Sequence, residues 1–331
     1  MKITSLLYKL PKYLTHVSEV INNISKEESI SRAYLYWDSL YCLLRHGCLI
    51  NQYYRGHFYK LGAALRNQAF TQRRVEAVIH KYNTEEGIRI LQNKREFNSY
   101  FSEYVSRKWV YAKEMSFESF MEVYESSDKI FIKPIDSQEG EGIKAISTHE
   151  RSALDLFQEL NGTRQLVEEG LSQHQRLKFG NASVNTARIL TVLDKSGKAH
   201  IIRAGLRVGV GDAVVDNYTA GGVLYEIDIE TGVIDHKGIQ GTNYDVIYHP
   251  GTSTCMLGYQ LPNWKQAIDS VLRSAEKLPS CRFIGWDVAF TDSNGGGVEL
   301  IEGNHNPGIF TLESLGTPGA YRDTIRILEQ S

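Results

Sequence analysis

Hydrophobic positions recur at helical spacing through the first ninety or so residues and at strand spacing from about residue 184 onward. In the first part Tyr36, Leu40, Leu43 and Leu44 fall at helical spacing, with the aromatics of NQYYRGHFYKLG nearby. That aromatic density reads as core, because tyrosine covers apolar area well. Over 91–112, Phe97, Phe101, Val105 and Trp109 recur every four residues and predict one amphipathic helix. Ile130, Phe131 and Ile132 then form a short β-type run ending at Lys133, followed by the glycine-rich turn SQEGEG. Ser147 and Glu150 stand at capping-box spacing ahead of Ala153, Leu154, Phe157 and Leu160, which predicts a helix starting near 148. RQLVEEGL predicts a strand running into a loop.

Beyond 184 the strand candidates are TARILTVL, HIIRAGLRVGV, GVLYEIDI, RFIGWDVAF and GVELIEG, interrupted by one helix, WKQAIDSVLRSAEKL. Many strands with a few helices on one side argue for an α+β fold. Asn294-Gly295 marks a hairpin turn between the last two strands.

Composition narrows the function classes. The 331 residues suit two or three packed lobes, and a net charge of −2 offers no overall field for nucleic acid. Cys42, Cys48, Cys255 and Cys281 match no zinc module or disulfide framework and read as reduced, mostly buried thiols, as in a cytoplasmic protein. No run is apolar enough to span a membrane. The opening MKITSLLYKLPKYLTH lacks the apolar core and cleavage-like site of a signal peptide. A peripheral association through the tyrosine-rich N-terminal stretch stays open.

The strongest chemical signal lies near the end. Alternation in FIGWDVAF puts Gly285, Asp287 and Ala289 on one face, and in GVELIEGNHNPG it puts Glu302 and Asn304 on one face. Hairpin pairing would let Asp287, Glu302 and Asn304 converge as a hard-oxygen site suited to Mg²⁺. Acids amid apolar strands need such a reason, because an unpaired buried charge is costly. The bland alternative is a surface hairpin with solvated acids. Upstream, Lys133 at a strand end precedes Ser137, Gly140 and Gly142, whose loop would let backbone N–H groups approach phosphates. The sequence is not a GxxxxGK[ST] loop, and a glycine-rich turn is often an ordinary hairpin. Lys94 alone reads as a solvated surface charge. Arg188, Arg203 and Arg207 sit on strands, where they can clamp phosphate or carboxylate oxygens or pair internally with the carboxylates just described.

In this order the motifs INQYYRGHFYKL, LQNKREF, FIKP, EEGLSQH, SVNTARILT, VDNYTAGG, GWDVAF and EGNHNPG, over about residues 40–320, resemble the ATP-grasp superfamily, and within it the sugar-transfer-associated group. The resemblance implies two α/β subdomains sandwiching ATP. It divides the chain into a mainly helical region 1–90, a lid subdomain 91–175 and a C-terminal subdomain 176–331 with the metal site. It implies that Lys94 and Lys133 touch ATP phosphates under a lid at 137–142. That loop is expected to be mobile without nucleotide. Glu168 to Leu171 resemble the hinge that reads adenine, Glu168 through its carbonyl and Leu171 through its N–H, with Glu169 or His174 near the ribose. Arg188, Arg207 and Asn217 resemble groups that stabilise the γ-phosphate and an acyl-phosphate, and Asp287, Glu302 and Asn304 resemble Mg²⁺ ligands. His305 and Asn306 fill a step of the last motif that relatives make with other residues. The helical first ninety residues depart from the open α/β unit that usually begins such enzymes.

The implied activity is an ADP-forming, ATP- and Mg²⁺-dependent joining of small-molecule carboxylate and amine substrates through an acyl-phosphate. The substrates would be sugar-linked, a uronic acid or an amino sugar in polysaccharide assembly. An amino-acid or peptide ligase would use the same motifs. Outside ligases, two readings stay open: a non-catalytic nucleotide-binding regulator, and a carbohydrate-binding module stacking sugars on Trp37, Trp109, Trp264 and Trp286. No nucleic-acid partner is implied, and the oligomeric state is not legible.

Overall fold

The computed structural model describes residues 3–137, 142–180, 183–211, 221–241, 243–292, 297–308 and 319–330, without side chains for 3–10 and Tyr244. The chain forms two compact units, residues 1–78 with 308–325, and 79–307 with 326–331.

The first unit is helical. It holds α1 (Ile3–Glu28), α2 (Arg32–His46), α3 (Ile50–Arg55), α4 (Ala63–Gln68) and the start of α5 (Gln72–Tyr82). Its core joins Ile21, Ile24, Leu35, Cys42, Tyr53 and Phe58. Tyr53, Phe58 and Tyr59 are buried, so most of the NQYYRGHFYKLG aromatics are core as their density suggests. Beneath them Arg66 donates to both oxygens of Asp38 at 2.7 and 2.8 Å, and the Tyr53 hydroxyl donates to the same carboxylate at 2.7 Å. The periodic residues of α2 behave otherwise: Leu35, Cys42 and His46 face inward, while Tyr36, Leu40 and Leu44 are exposed.

The second unit continues with α6 (Glu85–Gln92) and α7 (Lys94–Tyr100), then β1 (Trp109–Tyr111), α8 (Phe117–Tyr124), β2 (Lys129–Pro134), β3 (Lys144–Ser147), α9 (Ala153–Leu160) and β4 (Gln165–Glu169). Next come β5 (Thr186–Leu193), β6 (Ala199–Val208), β7 (Val223–Glu226), β8 (Gly238–Gln240), β9 (Asn243–Val246), α10 (Trp264–Lys277), β10 (Phe283–Thr291) and β11 (Gly297–Asn304). Chain order ends at α11 (Ala320–Glu329), which begins in the first unit and finishes in the second. Among the described residues the strands form two sheets, ordered β1-β4-β2-β3 and β11-β10-β5-β6-β7-β8-β9. Pairing is antiparallel throughout. The small sheet packs Ile130, Ile132 and Val167 against Phe120, Leu156 and Leu160 of α8 and α9. The large sheet packs Trp286, Val288, Phe290, Ile189 and Leu206 with α10 residues Trp264, Ala267 and Val271. β5 and β10 are buried along their whole length, which explains their largely apolar sequences, with Arg188 and Asp287 as the charged exceptions.

Two expectations are corrected. Residues 91–112 are not one helix. Asn93 ends α6 and starts α7, its side chain accepting from the N–H groups of Arg95 and Glu96 at 3.1 Å. Asparagine competes for backbone donors in this way and so favours caps over helix interiors. After a 3₁₀ turn at Ser102–Tyr104 the chain extends, and Trp109–Tyr111 gains ladder partners on β4. Phe97, Phe101 and Val105 are buried as predicted, so their spacing survives although the helix does not. The next helix begins at Ala153 rather than near 148. Ser147 still belongs to β3, and the Thr148 N–H donates to Asp128 O at 3.0 Å.

Candidate active site

The register of the large sheet builds the centre of the site. Asp287 on β10 stands opposite Arg188 on β5 and opposite Glu302 on β11. Gly285, one step along the same face, stands opposite Asn304. Three adjacent strands thus present a row of guanidinium, carboxylate and carboxylate. Arg188 donates to both Asp287 oxygens and to Pro307 O, and Arg207 on β6 donates to Asp287 Oδ2 at 2.6 Å and to Thr186 Oγ1 at 2.7 Å. Gly285 makes room for this clamp: a Cβ there would lie 2.5 Å from Pro307 Cβ and 3.1 Å from Arg188 Cδ.

A β-bulge sets which acids join the row. Asp287 pairs with Glu302 but Val288 pairs with Leu300, so Ile301 is an extra residue on β11. Glu299 therefore lies opposite Ala289, on the same sheet face as Glu302.

The electrostatics of the two central acids differ. Burial by itself would raise the Asp287 pKa, but Arg188 and Arg207 outweigh it and hold the carboxyl below its usual range. Glu302 is pushed up, first by burial and then by the Asp287 charge beside it. Asn304 Nδ2 donates to Glu302 Oε1 at 3.0 Å. Glu302 is thus a half-buried carboxylate next to a second carboxylate that takes the ion pairs of both arginines. Two carboxylates and a turnable amide fit a hard divalent cation, with further ligands from substrate oxygens. Among the described residues no three His, Cys, Asp or Glu side chains group as a metal site.

Glu302 and Asn304 line one cleft with Lys94, Ser137, His305 and Asn306. Lys94, the first residue of α7, donates to Ser137 O and, at 3.2 Å, to Ser137 Oγ. Burial holds its pKa below the usual lysine value. It is therefore not the solvated surface charge that the sequence alone suggested. Burial also lowers His305.

A second constellation escaped the sequence reading. Lys133 on β2 donates to Glu168 on β4. Arg107 Nη2 donates to Glu168 at 3.2 Å, and its Nη1 donates to Glu299 at 2.8 Å and to Leu300 O at 2.8 Å. Asn98 Nδ2 donates to Glu168 at 2.9 Å, and the Ser106 hydroxyl donates to Glu299 at 2.7 Å. Arg107, Glu168 and Glu299 are all about 2% exposed or less at the side chain. Burial would raise Glu168, but Arg107 and then Lys133 outweigh it and hold its carboxyl well below the usual range. This buried chain ties the small sheet to β11 and fixes Lys133. Arg107 gave no periodic signal, but two acids inside apolar strands, Glu168 and Glu299, implied an unseen cation.

The segment that follows β4 runs along the end of β10, where the Asp292 N–H donates to Ser172 O at 3.0 Å. Glu169 accepts from the Lys108 N–H at 2.8 Å, and Leu171 is half-buried. The His174 N–H donates to Phe290 O at 2.8 Å, and its Nδ1 accepts from the Arg176 N–H at 3.2 Å. Gly142 has φ +74°, the left-handed region that glycine tolerates. Gly140, Asn217, the Asn294-Gly295 turn and most of the 137–142 loop lie outside the described residues. Arg203 shares the Arg207 strand but donates locally, to Ile202 O at 2.7 Å.

A four-stranded antiparallel sheet beside a seven-stranded antiparallel sheet that bears a carboxylate–arginine row is an ATP-grasp fold. The chain belongs to the sugar-transfer-associated ATP-grasp family, whose model matches residues 73–323. No curated protein matches the chain. Similar solved structures include the ATP-grasp ligase PsnB complexed with a phosphomimetic variant of its minimal precursor, Mg and ADP (12% identity, TM-score 0.43, 74% of this chain and 61% of that one). Another is an L-amino acid ligase from Bacillus licheniformis (12%, 0.44, 73% and 50%). A third is the VanG D-Ala:D-Ser ligase from Enterococcus faecalis (17%, 0.41, 72% and 62%). The match thus takes in less than two thirds of each of these chains.

Proposed function

We propose that the protein is an ATP- and Mg²⁺-dependent ligase that joins a carboxylate to an amine and releases ADP and phosphate. The observation that carries this reading is the row Arg188–Asp287–Glu302, with Asn304 beside it and Lys94 lining the same cleft. Asp287, Glu302 and Asn304 are the groups that would hold Mg²⁺, which supplies charge stabilisation on the transferring phosphoryl oxygens. In this reading Lys94 and Lys133 bind phosphate oxygens, and the Lys133–Glu168 bond supports Lys133 in that role. In the same reading Arg188 and Arg207 offset charge as the substrate carboxylate oxygen bonds to the γ-phosphorus and ADP leaves. An amine nitrogen then attacks the acyl carbon of the acyl-phosphate, phosphate leaves, and the amine proton passes to water. Positioning by the two sheets supplies much of the rate. In this reading Glu168 to Leu171 border the adenine, Glu169 or His174 borders the ribose, Ser137, Gly140 and Gly142 belong to the lid, and Asn217 assists at the γ-phosphate. The family's link to sugar transfer supports sugar-linked substrates, a uronic acid or an amino sugar.

Product analysis tests this. With ATP, Mg²⁺ and mixed pools of amino acids and uronic acids, substrate-dependent ADP and phosphate are expected. Removing pool members singly identifies the pair, and a pair of two amino acids would replace the sugar reading with peptide ligation. AMP and pyrophosphate would overturn the acyl-phosphate route.

A further inference from the structure

The first unit carries a surface that the ligase site does not use. α2 has two stripes. Leu35, Cys42 and His46 face its core, while Tyr34, Trp37, Tyr41 and Leu44 recur on the outer side at 51%, 73%, 52% and 68% exposure. This is no scatter of single residues. Trp37, Tyr36 and Leu40 of α2 join Tyr13, Leu14 and Val17 of α1 around one apolar groove of about 390 Å³. Contiguous exposed apolar surface of this kind marks an interaction face.

The charges around it say what it meets. The only acid in α2 is Asp38, and both its oxygens are held by Arg66. The exposed ends of the helix carry Arg32 and Arg45, and exposed Lys12 lies on α1 beside Tyr13. Residues 1–18 contain Lys2, Lys9 and Lys12 and no Asp or Glu. The first unit as a whole has 12 Lys and Arg against 7 Asp and Glu, a net +5. Since the whole chain is −2, the second unit carries −7. The positive charge is thus concentrated on the unit that exposes the aromatics. Tyrosine and tryptophan with leucines between flanking Lys and Arg is the chemistry that settles at the boundary of headgroups and acyl chains. Anionic headgroups supply the complementary charge.

We propose that this face of α1 and α2 seats the protein on an anionic lipid bilayer, with Trp37, Leu40 and Leu44 in the acyl boundary and Lys12, Arg32 and Arg45 on the headgroup phosphates. The inference does not rest on the ligase reading, because vesicle binding is measured without ATP or substrate.

The test sediments the full-length protein with phosphatidylcholine vesicles and with phosphatidylcholine–phosphatidylglycerol vesicles. Binding is expected to the mixed vesicles, weakened by salt, with a blue shift of tryptophan emission that Trp37→Phe removes. The pair Trp37→Ala and Leu44→Ala lowers partitioning at least about tenfold, as loss of that much buried apolar area requires. Both side chains are exposed, so circular dichroism of the variant should match the parent. Lys12→Glu with Arg45→Glu removes the preference for the anionic vesicles. Absence of binding to either vesicle overturns the proposal, as does binding unchanged by the Trp37/Leu44 pair. A dimer that the same pair dissociates, without vesicle binding, assigns the face to a second copy of this chain and equally overturns it.

Discussion

Replacing Arg107 by methionine tests whether the buried chain Lys133–Glu168–Arg107–Glu299 is what fixes the small sheet on β11. The substitution keeps most of the side-chain volume and removes one cation from between two carboxylates. Glu168 retains Lys133 and Asn98, whereas Glu299 retains only the Ser106 hydroxyl and the backbone N–H of residue 107. Removing one partner of a buried pair costs about 3–5 kcal/mol. The surviving bonds to Glu168 place this case toward the lower end, about 3–4 kcal/mol. For a domain of this size that corresponds to a fall in Tm of roughly 10 °C. The difference has a signed pH dependence. Glu168 has a depressed folded pKa, so its contribution is present above the unfolded carboxylate pKa of about 4.3 and is lost as pH falls through the folded value. Arg107 is the leading cause of that depression, so the stability gap between parent and variant should be full at pH 7 and narrow below about pH 4. Calorimetry at the two pH values measures this, and adding Glu299→Gln to the variant should recover part of the loss. A Tm unchanged at pH 7, or a gap that widens in acid, would refute the argument.

Three further outcomes are expected from the site itself. Glu302→Gln should lower turnover at least about 100-fold, by loss of a metal ligand, while leaving the ligand-free melting temperature equal or higher, because it removes a like charge from beside Asp287; unchanged ADP release would sink the metal assignment. Lys133→Met should weaken ATP binding by about 10–100-fold, the worth of a charge-assisted phosphate contact, and should destabilise less than Arg107→Met because Glu168 keeps Arg107 and Asn98; isothermal titration and melting decide it. Gly285→Ala places a methyl group 2.5 Å from Pro307 Cβ and should cost about 1–3 kcal/mol while displacing Arg188; a variant equal to the parent in both melting and kcat would show the clamp to be loose.

What was legible in the sequence followed from burial on both faces or from strict alternation. β5, β10 and α10 stand where their apolar patterns put them, because each is packed along its length and no local rule competes. Asp287, Glu302 and Asn304 could be placed near one another because pairing of neighbouring strands is a local event. The failures came where a tertiary partner decided the outcome. Periodicity over 91–112 describes a continuous buried stripe, and it holds for Phe97, Phe101 and Val105. It cannot see that Asn93 caps a new helix or that residues 109–111 find strand partners more than fifty positions away on β4. The short strands β1, β3, β8 and β9 are set by their neighbours' ladders rather than by their own composition. Lys94 and Arg107 look like any surface cation in sequence, and only the fold shows Lys94 to be half-buried and Arg107 buried.

The bulge at Ile301 joins the two constellations into one device. With strict alternation Glu299 and Glu302, three residues apart, would face opposite sides of the sheet. The extra residue turns both to the face that carries Asp287. One then anchors Arg107, and through it Glu168 and Lys133 of the small sheet; the other completes the acid pair beside the two arginines. The support of Lys133 and the candidate metal centre are therefore set by a single local irregularity. Two residues of one strand, Leu300 and Ile301, separate them, so a change in the seating of the small sheet on Glu299 would be carried to Glu302 through covalent backbone rather than through solvent. This also accounts for the cost of burying so many charges. Arg107 binds two acids and Asp287 binds two arginines, so each buried group that could drift is held from two directions. Glu302 lacks such an arginine, and that is the deficit a cation would fill.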